Sequence, residues 1–278
     1  MSIRTEMNKL MGGSDAVITR IIVINIAVFL AANLYVNFSS SAVLLSYIGL
    51  SSSPRYVLFH PWTLFTYMFL HTGVMHILFN MLWLYWMGKL FIEYLGERKF
   101  LYTYIIGGLA GGILYLLVSY ITGSYPSLLM GASAGIMAVM VAIAVLLPDY
   151  PIFLFLIGEV KLKWLVLGAF LLFSIVDFRS NSGGKVSHIG GAIYGWFYIW
   201  QSRKGNDFAN ILSSFFHKIG NIFSGKKAKP GKAKVMGFKK PVNDTQKKID
   251  EILDKISRSG YESLSREEKD ILFKSSKQ

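Results

Sequence analysis

Apolar residues in this chain are gathered into blocks, and block length is the strongest limit on what it can fold into. Six such runs occur before residue 203, at about 16–36, 62–88, 100–121, 128–147, 162–177 and 187–200. A helix needs about 20 predominantly apolar residues to cross the hydrocarbon core of a bilayer. With 53% hydrophobic residues overall, the chain reads as an all-α polytopic membrane protein. Six transmembrane helices and a small cytoplasmic helical tail are expected. The first run, Val17–Val36, is longer than a signal-peptide core and lacks a small-x-small cleavage site. It therefore reads as a retained helix.

Charge sets the expected orientation. Lys and Arg in short loops mark the cytoplasmic side. Arg4, Lys9, Arg20, Lys89, Arg98, Lys99, Lys161 and Lys163 fall on one side, against Arg55, Arg179 and Lys185 on the other. Both termini are expected in the cytoplasm, in a cell inner or plasma membrane, with the 37–61 connection outside. Residues 203–278 carry 18 of the 29 Lys and Arg against 9 acids. Such a tail suits a membrane surface better than nucleic acid, and no nucleic-acid partner is expected. The domain reading is a cytoplasmic N-terminus at 1–15, a membrane domain at 16–203 and an amphipathic interfacial helix at 204–224. A basic linker at 225–243 and a helical hairpin at 244–278 follow. Phe208, Ile211, Leu212, Phe215, Phe216, Ile219, Ile222 and Phe223 recur at helical spacing. With the lysines that follow, they predict binding of 207–240 to anionic lipid of the inner leaflet. Ile249, Ile252, Leu253 and Ile256 form one stripe of the hairpin. Ser265 and Glu268 read as a capping box before Ile271 and Leu272. The chain has no Cys, which excludes disulfides and thiolate chemistry; no metal or cofactor is expected.

Polar groups inside the apolar blocks carry the functional signal, because each is costly there. The fourth block contains Gly131-Ala132-Ser133-Ala134-Gly135, the second contains His71, His76 and Asn80, and the sixth opens on Ser187-His188. His76 and Asn80 are four apart, hence on one helix face. At 1.5 Å per residue from the inner flanks, Ser133 and His188 both lie about 22 Å up, His76 about 20 Å and Asn80 about 14 Å. Three helices thus place Ser133, His188 and His76 at one level. Spacing leaves Ser133 two possible partners, a carbonyl one turn earlier or a base on another helix. If the base is His188, Ser133 is an activated nucleophile. No carboxylate is placed to complete a triad, since Asp149 lies at the inner end of the fourth run and Asp177 near the outer end of the fifth. His76, Asn80 and the backbone amide of Ser133 are then candidate donors to an oxyanion. Gly191 and Gly195 form a seam that lets another helix approach closely.

The set Trp62, His71-x4-His76-x3-Asn80, Gly131-x-Ser133 and His188-x2-Gly191-x3-Gly195 resembles the rhomboid intramembrane serine proteases over about residues 16–203. The resemblance implies that Ser133 is the nucleophile and His188 the general base. It makes His76, Asn80 and the Ser133 amide the oxyanion site. Gly131, Met137 and Trp62 are implied as further substrate contacts. It also implies a membrane-dipping outer loop at 37–61 and a lateral gate between the second and fifth spans. The implied reaction is cleavage of single-span membrane proteins near their outer end.

Three positions depart from the family pattern. Thr63 follows Trp62 where Arg is frequent, which predicts weaker anchoring of the outer loop. Ala134 stands where Gly is common after the nucleophile. Met137 stands where an aromatic residue often stacks on the imidazole; its thioether can still contact a ring. His71, five residues from His76, is expected to point elsewhere and to act structurally, bonding the outer loop. His60 and His217 are expected at the surface, and Asp177 and Arg179 as an ion pair. Trp62, Trp83, Trp86, Trp196 and Trp200 are expected as core or interfacial aromatics. The alternative to an enzyme is a catalytically inactive rhomboid-like protein that binds transmembrane segments. A channel would show interrupted, repeated helices near the midplane, and no such symmetry is evident.

Overall fold

In a computed structural model, the described residues are 16–39, 43–123, 128–155, 157–174 and 182–206, with 252, 255–256 and 263–269 in the tail. Expectations for residues 1–15, Asp177, Arg179, 207–240, His217, Ile249, Leu253, Ile271 and Leu272 fall outside them. The chain divides into two compact units, Met1–Ile219 and Gly220–Gln278.

Among the described residues of the first unit, six helices have 13 residues or more. They are α1 (Ala16–Ser39), α2 (Val74–Leu95), α3 (Glu97–Thr122), α4 (Ser133–Leu146), α5 (Leu162–Ser174) and α6 (Ser182–Arg203). α1 and α3 are long and apolar enough to cross a membrane on their own, and the segment 63–95 counts as a third span if its bend is ignored. α4 and α5 are shorter apolar helices.

Two expected spans are corrected at their outer ends. The second was expected as one helix from Trp62 to Gly88. Instead Thr63–Phe69 is a separate helical piece, bent by 94° from α2. The extended backbone of Leu70 ends that piece, and α2 starts at Val74 after Gly73 and runs on to Leu95. The fourth was expected to begin at Leu128. Leu128–Leu129 instead forms strand β2, which pairs antiparallel with β1 (Leu50–Ser51) of the outer connection. α4 therefore begins at Ser133. Its 14 residues rise about 20 Å, too little to cross the core, so its first turn lies inside the membrane domain.

The described part of the 37–61 connection is hydrogen-bonded to the segment that follows. It contains the short helices Val43–Ile48 and Pro54–Phe59, the latter capped by Ser53. Trp62 Nε1 donates to Tyr47 O at 2.8 Å, and Thr66 Oγ1 to Ile48 O at 2.6 Å. Thr63 is buried, its Oγ1 donating to His60 O at 2.7 Å. His60 is half-buried rather than a surface group. It stacks on Tyr56 and meets the edges of Tyr47 and Trp62.

α3, α4 and α6 pack on one another more extensively than any other elements, and small residues are the reason. A Cβ on Gly111 of α3 would lie 2.6 Å from Ala134 Cβ and from Ser187 O. One on Gly191 of α6 would collide with Ala134 O. One turn further on, Gly107 and Gly195 stand in the same relation to Ala138. Two layers, Gly111–Ala134–Gly191 and Gly107–Ala138–Gly195, thus let α4 run between its neighbours at backbone contact. In a bilayer such close packing, not exclusion from water, is what drives helices together. Ala134 fits where the family often has Gly because both helices facing it present glycine.

On the cytoplasm-expected side, α4 and α5 are joined by the hairpin β3 (Pro151–Leu154) and β4 (Gly158–Lys161). In the second unit, Ser265 and Glu268 form the expected capping box. Glu268 N donates to Ser265 Oγ at 3.2 Å and Ser265 N to Glu268 Oε2 at 2.7 Å. Lys255 pairs with Glu268 at 3.0 Å. The Ser265 amide and Lys255 hold the Glu268 carboxyl below its ordinary value.

The seam makes opposite predictions for two glycine-to-alanine changes. Gly191→Ala should destabilise the membrane domain by about 1–3 kcal/mol, the usual cost of overpacking. Gly168→Ala on α5, whose Cβ would meet nothing within 4 Å, should be neutral or stabilising by up to about 1 kcal/mol. Reversible unfolding in mixed micelles measures both; equal effects would contradict the seam.

Candidate active site

Ser133 and His188 meet because the layered seam holds α4 and α6 at one register. Ser133 opens α4, one residue above the Ala134 layer. His188 lies three residues before Gly191 on α6. His188 Nε2 is 2.7 Å from Ser133 Oγ, and both residues are half-buried. The other ring nitrogen, Nδ1, is 3.2 Å from Phe173 O and 3.4 Å from Ser174 Oγ in the last turn of α5. A carbonyl can only accept, so this bond puts the imidazole proton on Nδ1. Nε2 is then left with its lone pair facing the serine hydroxyl. A backbone carbonyl thus takes the orienting place that an acid holds in a triad.

The segment before Ser133 is tied down residue by residue. Gly131 N donates to Tyr67 O at 2.9 Å, and Ala132 N donates to His71 Nε2 at 3.3 Å. Gly131 has φ of 120°, a region that L side chains rarely adopt. A Cβ there would lie 2.8 Å from His76 Cε1. Glycine therefore permits both the turn into α4 and the approach of the His76 ring. As the first residue of α4, Ser133 carries one of the amides that a helix leaves without an internal partner. The positive end of the helix dipole lies at the same point.

These groups share a cavity of about 300 Å³ between α2, α4, α5 and α6. His76, Asn80, Ser133 and His188 form its polar wall, while Phe79, Trp83, Met137 and Phe173 are among the apolar residues that complete it. Asn80 Nδ2 donates one hydrogen to His76 O at 2.9 Å, which leaves its second hydrogen for the cavity. Trp83 meets Phe173 edge-on at 6.4 Å between centroids. Met137 lines the cavity beside these groups. Gly131 lies buried against His76 and is not part of the wall. Trp62 is not among the lining residues; its indole is used in the outer connection.

His71 is the clearest correction. Five residues from His76 on a continuous helix would point it away. The chain is not helical between Leu70 and Gly73, so helical periodicity does not apply. The His71 ring is fully buried, 5.0 Å from that of His76 and edge-on to it, and it holds the Ala132 amide. Its role is structural, as expected, but it supports the turn into α4 rather than lying apart. Phe173 and Ser174 were not singled out at all. A backbone carbonyl leaves no mark on a sequence, and a lone serine in an apolar run is weak evidence.

The Rhomboid domain matches residues 59–204. The chain belongs to the rhomboid family. It is 30% identical over 174 residues to presenilin-associated rhomboid-like protein A, mitochondrial, of Danio rerio, covering 57% of this chain and 42% of that one. It is 33% identical over 137 residues to rhomboid protease GluP of Bacillus subtilis, covering 49% and 25%. Over 54 residues it is 39% identical to rhomboid protease GlpG of Salmonella newport, covering 19% and 20%. The chain thus spans less than half the length of these relatives. Residues 239–278 match a separate family of unknown function, DUF6576. As a rhomboid, the protein is an integral, multi-pass membrane protein.

A serine held this way should be selectively reactive. Treatment with a fluorophosphonate is expected to give a single adduct, on Ser133, that is lost in His188→Ala. Gly131→Ala should slow labelling about tenfold or more while leaving the fold intact, because a strained φ of 1–3 kcal/mol falls on the approach to Ser133. Mass spectrometry of the labelled protein decides; undiminished labelling in His188→Ala would contradict the arrangement.

Proposed function

We propose that this rhomboid is an intramembrane serine endopeptidase that cleaves single-span membrane proteins near their outer end. The observation that carries the reading is the 2.7 Å contact of Ser133 Oγ with an imidazole nitrogen whose partner atom is already committed to Phe173 O. A protein that only bound transmembrane segments would need neither the contact nor the fixed tautomer. Proximity to rhomboid proteases supports the same reading.

Ser133 Oγ attacks the scissile carbonyl carbon as His188 Nε2 takes its proton. The carbonyl oxygen becomes an oxyanion, received by the Ser133 amide, the His76 ring and the free hydrogen of Asn80. The imidazolium returns its proton to the leaving nitrogen, and the C–N bond breaks. An ester to Ser133 remains, and the segment bearing the new amino terminus departs. A water then gives one proton to His188 and adds to the ester carbon. Collapse of that adduct returns the proton to Ser133 Oγ and releases the carboxylic acid. Throughout, Phe173 O holds the imidazole and steadies its transient charge. The apolar wall around the polar groups suits a peptide leaving a helical, lipid-embedded state. The charge asymmetry of the loops supports an outer location for the reaction, with both termini in the cytoplasm.

With a model transmembrane substrate in proteoliposomes, Ser133→Ala and His188→Ala should abolish cleavage. His76→Ala should lower kcat about 10²- to 10³-fold, as for removal of one oxyanion donor. Cleavage that persists in Ser133→Ala would overturn the reading. Stable capture of the uncut segment by wild type would favour a binding protein instead.

A further inference from the structure

A second cavity, sharing no lining residue with the first, lies between α4, α5 and α6. It has a volume of about 380 Å³, and Val141, Ala144, Val145, Val166, Leu167 and Ala192 are among its lining residues. Ala144 on α4 and Ala192 on α6 are the small residues of this lining and leave it room. Its apolar lining is interrupted at one end, where Lys163 and Trp164 close it. The corner is rigid: Leu162 N donates to Tyr150 O at 2.9 Å and Lys163 N to Pro148 O at 3.1 Å, stapling the start of α5 to the end of α4.

The same end is basic. Lys161 and Lys163 both reach Asp149, at 3.1 and 2.9 Å, so one carboxylate serves two ammonium groups. Their hydrogen bonds, that of Lys163 foremost, hold the Asp149 carboxyl below its ordinary range. Arg203, from the end of α6, donates to Val145 O at 2.7 Å, and Val145 lines the cavity. Lys163 thus closes this end of the hollow, Lys161 joins it at the shared Asp149, and Arg203 is tied to a residue of the hollow's wall. Trp164 is exposed beside it, with Lys163 Nζ 5.6 Å from its ring centre, the residue pairing of a membrane–water interface. Glu159, the other acid of this connection, forms no ion pair among the described residues.

We infer that this hollow is a binding site for one anionic phospholipid, its acyl chain lying between α4, α5 and α6 and its phosphate at Lys161, Lys163 and Arg203. The hollow opens among lipid-facing side chains, so an acyl chain reaches it without leaving the bilayer. Two lysines on one carboxylate retain attraction for a further anion, and Arg203 adds bidentate geometry for phosphate oxygens. A zwitterionic headgroup brings its own cation to the same place and gains less. The inference does not depend on the protease reading, since none of these residues borders the Ser133 cavity.

The test is native mass spectrometry of the full-length protein, released from micelles holding equal phosphatidylglycerol and phosphatidylcholine. Wild type should retain one phosphatidylglycerol more than Ala192→Phe, which fills the hollow. Ala144→Leu fills it from α4 and serves if Ala192→Phe does not fold. Lys161→Gln with Lys163→Gln leaves the hollow open and should weaken the preference for phosphatidylglycerol about fivefold per lysine. The basic tail is unchanged in every variant and contributes equally. Inorganic phosphate alone should leave thermal stability unchanged where phosphatidylglycerol raises it. Equal lipid retention in wild type and the filled variants would overturn the inference. So would an undiminished preference in the lysine variant, or equal stabilisation by free phosphate.

Discussion

The close passage of α4 between α3 and α6 is the constraint from which the rest follows. Ala134 and Ala138 meet glycine on both sides, and no larger residue fits at those levels. Helices at backbone contact cannot slide or rotate by even one residue without collision. Ser133 and His188 are each only one to three residues from the nearer layer, so they inherit its register. An ordinary serine and an ordinary histidine become a hydrogen-bonded pair through the absence of side chains elsewhere.

The pair also needs its imidazole turned correctly, and here α5 contributes. Phe173 offers its carbonyl to His188 Nδ1 and its ring to the cavity, where it meets Trp83 of α2. One residue therefore joins the orientation of the His188 ring to the contact between α2 and α5. On the opposite side, Tyr67 and His71 hold Gly131 and Ala132 by their backbone amides. Ser133 thus emerges from a turn fixed by hydrogen bonds rather than from a continuous helix. Starting α4 within the membrane domain leaves its first amides unpaired, which elsewhere would be a cost. Of these, the amide of Ser133 belongs to a residue that lines the cavity.

Much of this was legible in the residues, and the failures have a common cause. Apolar block length gave six helices at nearly the right places, and polar groups in those blocks named Ser133, His188, His76 and Asn80. The small-residue seam was visible as Gly191-x3-Gly195, although its partner, Ala134-x3-Ala138, was not. The errors lie where an apolar run is not all helix. Leu128–Leu129 is as apolar as its neighbours yet pairs as a strand, and Leu70-His71-Thr72-Gly73 lies inside an apolar run yet turns a corner. Hydropathy records burial in lipid or protein and does not distinguish those backbones. The position of His71 beside His76 is hidden for that reason, and the bond of Trp62 to Tyr47 O depends on a tertiary contact that spacing does not reveal. Phe173 could not be found, since the atom that matters is common to every residue.

The central claim is that His188 sits with its proton on Nδ1, held by Phe173 O, and its lone pair turned to Ser133. Solid-state 15N NMR of histidine-labelled protein in lipid, at a pH where the ring is neutral, reads this directly. The His188 signal is assigned by its loss in His188→Gln. The account predicts a protonated Nδ1 and an Nε2 that accepts a hydrogen bond, with the Nε2 shift moving when Ser133 is replaced by alanine. A proton on Nε2, or an Nε2 shift indifferent to that replacement, would contradict it.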